Sequence, residues 1–410
     1  MDSVTPHSPM AGIRRIAGWP AIAIGFSIPV SVALDNILLL LLLVGWVASG
    51  AYRDSWNLVR SNAFLLAAPA LFAILALSAL HGQHSAADAL GYLGKYSDLL
   101  FVPVIAAFFR ESAVRRHGLH ALAASLVLVL ALSCLIAAGL PVAKPLLGSP
   151  ENPVVFKYSL THSILMAFGA FLFVELGFAA TSRRLRLLWF AAGLAAAFNV
   201  LALSQGRTGY LLLALLAVLS ATHRLRWRGL AIAVVLSAAV AAALALVPGP
   251  FQQRLGLATG KDASTLASLY GQISNTERID MARATVSIIR DHPLFGVGTG
   301  GFPAAYSERA KNTSVPASRN PHSEYLLVTA QTGIAGLLAL LAMFVLQWRT
   351  SARLPPLEAQ LTRGLVLMMA TGCLFNSLLL DHTEGLLFVW LTGLLQGGYR
   401  PDSGPGGGSS

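Results

Sequence analysis

The chain has 410 residues, 55% hydrophobic and only 11% charged, with a mean hydropathy of +0.66. Soluble domains carry about a quarter charged residues, so the composition excludes an ordinary soluble globule and indicates an integral membrane protein. A net charge of +11 would suit a nucleic-acid binder, but in a membrane chain basic residues chiefly report topology, and no nucleic-acid partner is expected.

Apolar runs long enough to cross about 30 Å of hydrocarbon fall near 16–34, 36–51, 62–80, 91–109, 119–139, 160–180, 187–204, 208–222, 229–248, 323–348, 362–380 and 385–398. Arg14 and Arg15 precede the first run without a small-residue cleavage site, so it reads as a retained span rather than a removed signal peptide. With the N-terminus inside, every inner connection carries arginine: Arg53 and Arg60; Arg110, Arg115 and Arg116; Arg183, Arg184 and Arg186; Arg224, Arg226 and Arg228; Arg349, Arg353 and Arg363; then Arg400. The short outer connections hold only Lys95, Lys144, Lys157 and Arg207. This alternation follows the positive-inside rule and predicts twelve spans with both termini cytoplasmic. Cys134 and Cys373 lie inside apolar runs and are expected to pack in the core, with no disulfide or cysteine metal site. Glu175, inside the sixth run, is costly in hydrocarbon and is expected to hydrogen-bond within the bundle. The predicted organisation is transmembrane helices over 1–248, an outer loop domain over 249–322, further transmembrane helices over 323–400 and a disordered, linker-like tail over 401–410.

The long outer segment carries Arg254, Lys261, Arg278, Arg283, Arg290, Arg309, Lys311 and Arg319. Long translocated segments escape the charge rule, and a positive outer domain points to an anionic ligand. Within it, 274–292 reads as an amphipathic helix. Ser274 and Glu277 fit a capping box, Ile279, Val286 and Ile289 share an apolar side, and Arg278 falls in the first turn, where the helix end favours an anion. Arg283 and Arg290 project from a different face, toward ligand or lipid head groups. The stretch "HPLFGVGTGGF" (292–302) has neither a following Lys-Ser/Thr nor a preceding strand, so it is no nucleotide loop. It reads as a tight turn that lets backbone approach a neighbour or a ligand. In "LSQGRTGYLLL" (203–213), Arg207 is the lone arginine of a short outer loop. Its fork suits bidentate phosphate binding, the plainer alternative being an interfacial, snorkelling arginine.

In "NPHSEYLL" (320–327), Asn320 is expected as N-cap, Pro321 as the first helical residue and His322 in the first turn. The helix dipole and nearby arginines would keep that imidazole neutral and competent as a general base. The alternative is a capping or head-group histidine. Glu324 is expected to orient the ring or complete the cap. His162, Asp381, His382 and Glu384 lie at outer helix ends, where structural roles are expected. No HExxH, acidic pair or Cys/His ligand set occurs in the outer loop, so no metal is indicated.

Phosphate-suited arginines and a base on the outer face of an apolar bundle suit a lipid-linked diphosphate substrate. At this point "SQGRTGYL", "ERIDMARATVSIIRDHPLFGVGTGGF" and "NPHSEYLLVTAQTGIAGLLALL" resemble, in that order, the O-antigen ligase and polymerase superfamily. The single long outer loop is more similar to the ligases than to the polymerases, which typically show two. The resemblance implies an all-α polytopic membrane protein of about twelve transmembrane helices with one large periplasmic helical loop, similar to C-type glycosyltransferases. It implies a metal-independent, inverting transfer of a polysaccharide from undecaprenyl diphosphate to a sugar of the lipid A core, at the periplasmic face of a Gram-negative inner membrane, without a cofactor. The residues essential in similar enzymes correspond to Arg207, Arg278 and His322, while Ser323 stands where many relatives have asparagine. Arg283, Lys95, Lys157, Glu324 and Tyr325 are expected to contact substrate. Two alternatives stay open. A polymerase or protein O-oligosaccharyltransferase would use the same chemistry on another acceptor. An anionic-lipid flippase would be expected to carry basic or polar residues through the depth of several spans.

Overall fold

In hydrocarbon every backbone N–H and C=O must find its partner inside the chain, so uninterrupted apolar runs become helices. The computed structural model describes residues 9–140, 148–204, 206–246, 266–310 and 318–401. Lys144, Arg254, Lys261, Lys311 and the tail after 401 lie outside the described residues. Among those described there are helices and no strands. In chain order the helices are α1 (Pro9–Ser27), α2 (Val32–Ala48), α3 (Tyr52–Ser61), α4 (Ala67–Ser78), α5 (Ala86–Tyr96), α6 (Val102–Phe108), α7 (Ser112–Ala137), α8 (Ser159–Ala179) and α9 (Arg183–Phe198). They continue with α10 (Arg207–Leu246), α11 (Leu266–Asp291), α12 (Phe302–Ala310), α13 (Glu324–Thr350), α14 (Pro356–Phe375) and α15 (His382–Gln396).

Five described helical stretches are long and apolar enough to cross a membrane: Ser112–Ala137, Ser159–Ala179, Arg183–Leu203, Arg207–Gly229 and Glu324–Arg353. A sixth crossing results if α2 and α3, bent by 90°, form one broken span. The protein is a membrane protein, but helix length does not by itself supply twelve crossings. The fourth apolar run is divided into α5, a 3-10 turn over Ser97–Phe101 and α6, where Asp98 and Pro103 interrupt it. The last run yields α15, only 15 residues long.

Three helices form the centre. α8 is 83% buried over its most apolar window, against 22% for Arg183–Leu203, and α14 and α15 bury most of their side chains as well. Cys373 packs in this core, whereas Cys134 faces outward, contrary to expectation. In a bilayer an outward thiol on an apolar helix meets lipid rather than water, so apolar context does not imply core. Glu175 is held inside the bundle by Arg224, through Nη2–Oε2 at 2.6 Å and Nη1–Oε1 at 3.1 Å, and by the Ser220 hydroxyl at 2.7 Å.

The glycine-rich segment 293–300 joins this frame through a break in α13. Gly333 has φ +66, and a Cβ there would lie 2.2 Å from the Leu294 carbonyl oxygen. The interruption leaves carbonyls without helical partners, and the glycine-rich turn supplies them. Val297 N–H donates to the Ala330 carbonyl at 2.8 Å, and Gly298 N–H to that of Gln331 at 3.0 Å. Gly300 N–H donates to the Gln331 side chain at 2.8 Å, and Ile334 N–H to the Pro293 carbonyl at 2.9 Å. The turn therefore approaches a neighbouring backbone, one of the two uses expected of it.

Two features of α11 differ from expectation. The helix is already formed at Leu266, so Ser274 is not its cap and Arg278 sits about three turns inside, beyond the reach of the helix end. Its buried stripe is Met281, Thr285 and Ile288, while Ile279 is 53% exposed and Val286 also faces out. Near a membrane the apolar side chains of a helix need not mark its packed face.

Candidate functional site

Arg207 opens α10, and what precedes it explains where it stands. After α9 the chain takes a π turn over Asn199–Leu203, a geometry often found near functional sites. The buried Asn199 side chain meets His162 Nε2 at 3.0 Å and donates to the Ser133 hydroxyl at 2.7 Å. The Ser204 hydroxyl then accepts from Gly206 N–H at 3.3 Å. Gly206 lies so close to α8 that a Cβ would sit 1.9 Å from Ser163 Oγ. Lacking a side chain, Gly206 fits against α8, and the next residue, Arg207, is exposed.

Arg278 reaches the same place from α11. Its Nη1 lies 3.5 Å from the Phe375 carbonyl at the end of α14, where a cation meets the negative end of a helix. Partial burial, and then the Arg207 charge beside it, push its pKa below the usual arginine value. A guanidinium stays charged regardless. The two cations therefore stand in mutual repulsion, an arrangement that an anion would relieve.

His322 lies within electrostatic range of Arg278, but not in a helical turn. α13 begins at Glu324 with Ser323 as its N-cap, so neither Asn320 nor Pro321 plays the role expected of it. Asn320 Oδ1 instead accepts from His322 N–H at 2.8 Å and from the Ser377 hydroxyl at 2.7 Å. That side-chain turn holds His322 in the left-handed region, with φ +56. The conformation costs about 1–2 kcal/mol for a residue with a side chain, and each hydrogen bond returns about 1. Burial first, and then the Arg278 guanidinium, push the His322 pKa below its ordinary value. The expected direction is thus present, with a different main cause, since the helix dipole acts on Ser323 and Glu324 rather than on a ring in the first turn.

The end of α14 and the strap that joins it to α15, residues 376–381, tie these pieces together. The Ser323 hydroxyl donates to the Cys373 carbonyl at 3.3 Å, and Glu324 N–H to that of Asn376 at 3.3 Å. The Asn376 amide reaches the Thr208 hydroxyl, next to Arg207, at 3.4 Å. Glu324 is fully buried; its carboxylate accepts from the Tyr96 hydroxyl and from Leu379 N–H at 2.9 Å. It neither orients the His322 ring nor caps the helix, and having no exposed surface it supports the site from below. Tyr325 donates to the Ala370 carbonyl at 2.8 Å. Asn376 and Ser377 escaped sequence reasoning; the only signal was a polar Asn-Ser pair inside the apolar run 362–380.

The other expected substrate contacts stand elsewhere. Arg283 is 77% exposed and pairs with Asp280 on its own helix. Lys95 lies within electrostatic range of Asp381. Lys157 is buried, which lowers its pKa, while Asp35 and Glu384 act in the opposite sense. His382 bridges Asp35 and Asp98 at 3.5 and 3.6 Å. Lys95 and Lys157 thus face carboxylates. Among the described residues no group of three or more His, Cys, Asp or Glu side chains is arranged to hold a metal ion.

Residues 192–341 match the family model described as O-Antigen ligase. This part of the chain is similar to the O-antigen ligase family. Members of that family are glycosyltransferase-like enzymes of lipopolysaccharide biosynthesis. The matched segment contains Arg207, Arg278 and His322 and ends before the strap. No curated protein matches the chain.

Proposed function

We propose that the protein is an O-antigen ligase, moving a polysaccharide from undecaprenyl diphosphate onto a sugar of the lipid A core at the periplasmic face of a Gram-negative inner membrane. The observation that supports this reading is the meeting of two guanidiniums with an imidazole whose pKa is depressed, at one end of an apolar bundle. In this mechanism Arg207 and Arg278 grip the diphosphate. His322 takes the proton from the acceptor hydroxyl, whose oxygen attacks the anomeric carbon from the opposite face. The new C–O bond forms as the bond to the diphosphate oxygen breaks; that oxygen keeps the electron pair, its charge is met by the arginines, and the anomeric configuration inverts. The apolar helices accommodate the polyprenyl tail.

The test is transfer in vitro with purified protein, lipid-linked glycan and a panel of acceptors: lipid A core, a second glycan unit and a protein. Product on lipid A core supports the ligase, and product on either other acceptor replaces it with a polymerase or a protein glycosyltransferase. His322→Ala is expected to lower turnover by roughly 100-fold or more, and wild-type turnover in that variant overturns the base assignment. Activity is expected to persist in chelator; strict metal dependence would overturn the arginine-only account of the leaving group.

A further inference from the structure

A second basic site occupies the other end of the bundle. α15 starts beside the strap and runs about 22 Å away from it at 1.5 Å per residue, ending at Gln396. There a cavity of 260 Å³ is lined by Arg110, Ser112, Arg115, Tyr399 and Arg400, with the backbone of Gly397 and Gly398. The charge alternation assigns this end to the cytoplasm. That rule accounts for arginines in inner loops, but not for their convergence from two separate connections onto one cavity.

The site is built rather than merely decorated. The Arg115 side chain is 5% exposed and pairs with Glu358 through Nε at 3.2 Å. Its Nη1 donates to the Phe109 and Arg110 carbonyls at 3.0 and 2.7 Å, so among the described residues Nη2 has no hydrogen-bond partner. A Cβ on Gly398 would stand 3.1 Å from Arg115 Nε and 3.3 Å from Nη2, so glycine leaves the guanidinium its room. Ser112 begins α7, and Glu111 at the N-cap makes no side-chain capping bond, so the first N–H groups of a 26-residue helix border the cavity without that cap. Tyr399 is held by Arg353, whose Nη1 donates to its hydroxyl at 2.5 Å. Among the described residues that line the cavity, Arg110, Arg115 and Arg400 are charged and none is acidic, and the cavity lies at the boundary where two apolar helices end.

We propose that this cavity binds a phosphate group, supplied by the headgroup of an acidic phospholipid or by a free phosphate anion. Arginine forks and helix N–H groups are the donors phosphate oxygens take, and basic pockets between membrane helices on the inner side recognise acidic headgroups. The site is independent of the transfer chemistry and does not rest on it.

The experiment uses the full chain in phosphatidylcholine nanodiscs. One arm titrates fluorescent phosphatidylglycerol; the other titrates inorganic phosphate, read by its competition with that lipid and by thermal stabilisation. The variants are Arg110→Ala with Arg400→Ala, both exposed in the wild type, and the matching double Lys variant; Arg115 stays intact because it is paired. Weaker lipid binding in the Ala pair, by roughly tenfold or more, with recovery in the Lys pair, supports a lipid headgroup. Stabilisation by millimolar phosphate that the Ala pair loses supports a free anion. Equal binding of both probes by wild type and the Ala pair overturns the proposal, as does acidic-lipid binding no tighter than that of phosphatidylcholine. If the Ala pair does not fold, Arg400→Ala alone is read against the same outcomes.

Discussion

At the scale of single residues the decisive unit is His322 with its immediate neighbours. Burial and Arg278 both disfavour its cationic form, so the basic form persists below the ordinary histidine pKa of about 6.5. Turnover is therefore expected to be flat through neutrality and to fall only as pH drops through that depressed value. Removing the Arg278 charge raises the His322 pKa, so in Arg278→Gln the acid limb should move to higher pH, part of the way to 6.5 because burial remains. An unmoved limb in a series of pH–rate profiles would uncouple the two side chains. Asn320 is a positioning residue, since its Oδ1 fixes the turn rather than the reaction. Asn320→Ala should cost about 1–2 kcal/mol of stability and lower kcat more than it raises KM, whereas Asn320→Asp keeps the acceptor oxygen and should recover most of the rate. Equal kcat in Asn320→Ala would show that the left-handed turn forms without it. The sequence displayed Arg207, Arg278 and His322 as chemistry, but not that Asn320 acts as a turn rather than a cap. That distinction depends on Ser377, 57 positions away.

At the scale of elements the segment 293–300 is held by complementarity between two irregularities. The α13 break at Gly333 exposes carbonyls, and the turn at 296–300 brings N–H groups to them. Either feature alone would leave polar backbone groups unmet, at about 1–3 kcal/mol each where they are buried. Gly333→Ala combines a forbidden φ with a collision against Leu294. It is expected to destabilise the protein by about 2 kcal/mol or more and to detach the loop. Hydrogen exchange should then rise at Val297 and Gly298 while α8 stays protected; unchanged protection at those amides would show that the break does not anchor the turn. The glycines of the turn were visible in the sequence, whereas the helix break at Gly333 was hidden inside the long run 323–348, where one glycine among helix-compatible residues does not show that the helix stops. The start of α11 was missed for a related reason. A capping pattern at Ser274 competes with helix continuation on both sides, and local pattern cannot say which wins.

At the scale of the whole molecule, charge and length give different counts of crossings. The arginine alternation predicts twelve, while five or six described stretches meet the length and apolarity of a full span. Short helices such as α15 can still serve as crossings when other helices surround them, because their ends are solvated by protein. Cysteine accessibility separates the two counts. In a background lacking Cys134 and Cys373, Arg283→Cys is expected to react with an impermeant maleimide added outside, and Arg116→Cys only after permeabilisation. The opposite pattern would invert the orientation and move the proposed transfer site to the cytoplasmic face.

The amino-acid sequence by itself determined the membrane class, the helical architecture and the residue types suited to an anionic, lipid-linked substrate. Composition and local pattern are sufficient for these, because apolarity selects helix in a bilayer and guanidinium selects phosphate. Only the tertiary structure decided which cations share a site. Arg278 stands within electrostatic range of both Arg207 and His322, while Lys95 and Lys157 lie near carboxylates, although all four cations were outer-face cations in the sequence. The strap at 376–381 joins Thr208 and Glu324, more than a hundred residues apart, through Asn376, and such long-range pairing leaves no periodic trace along the chain.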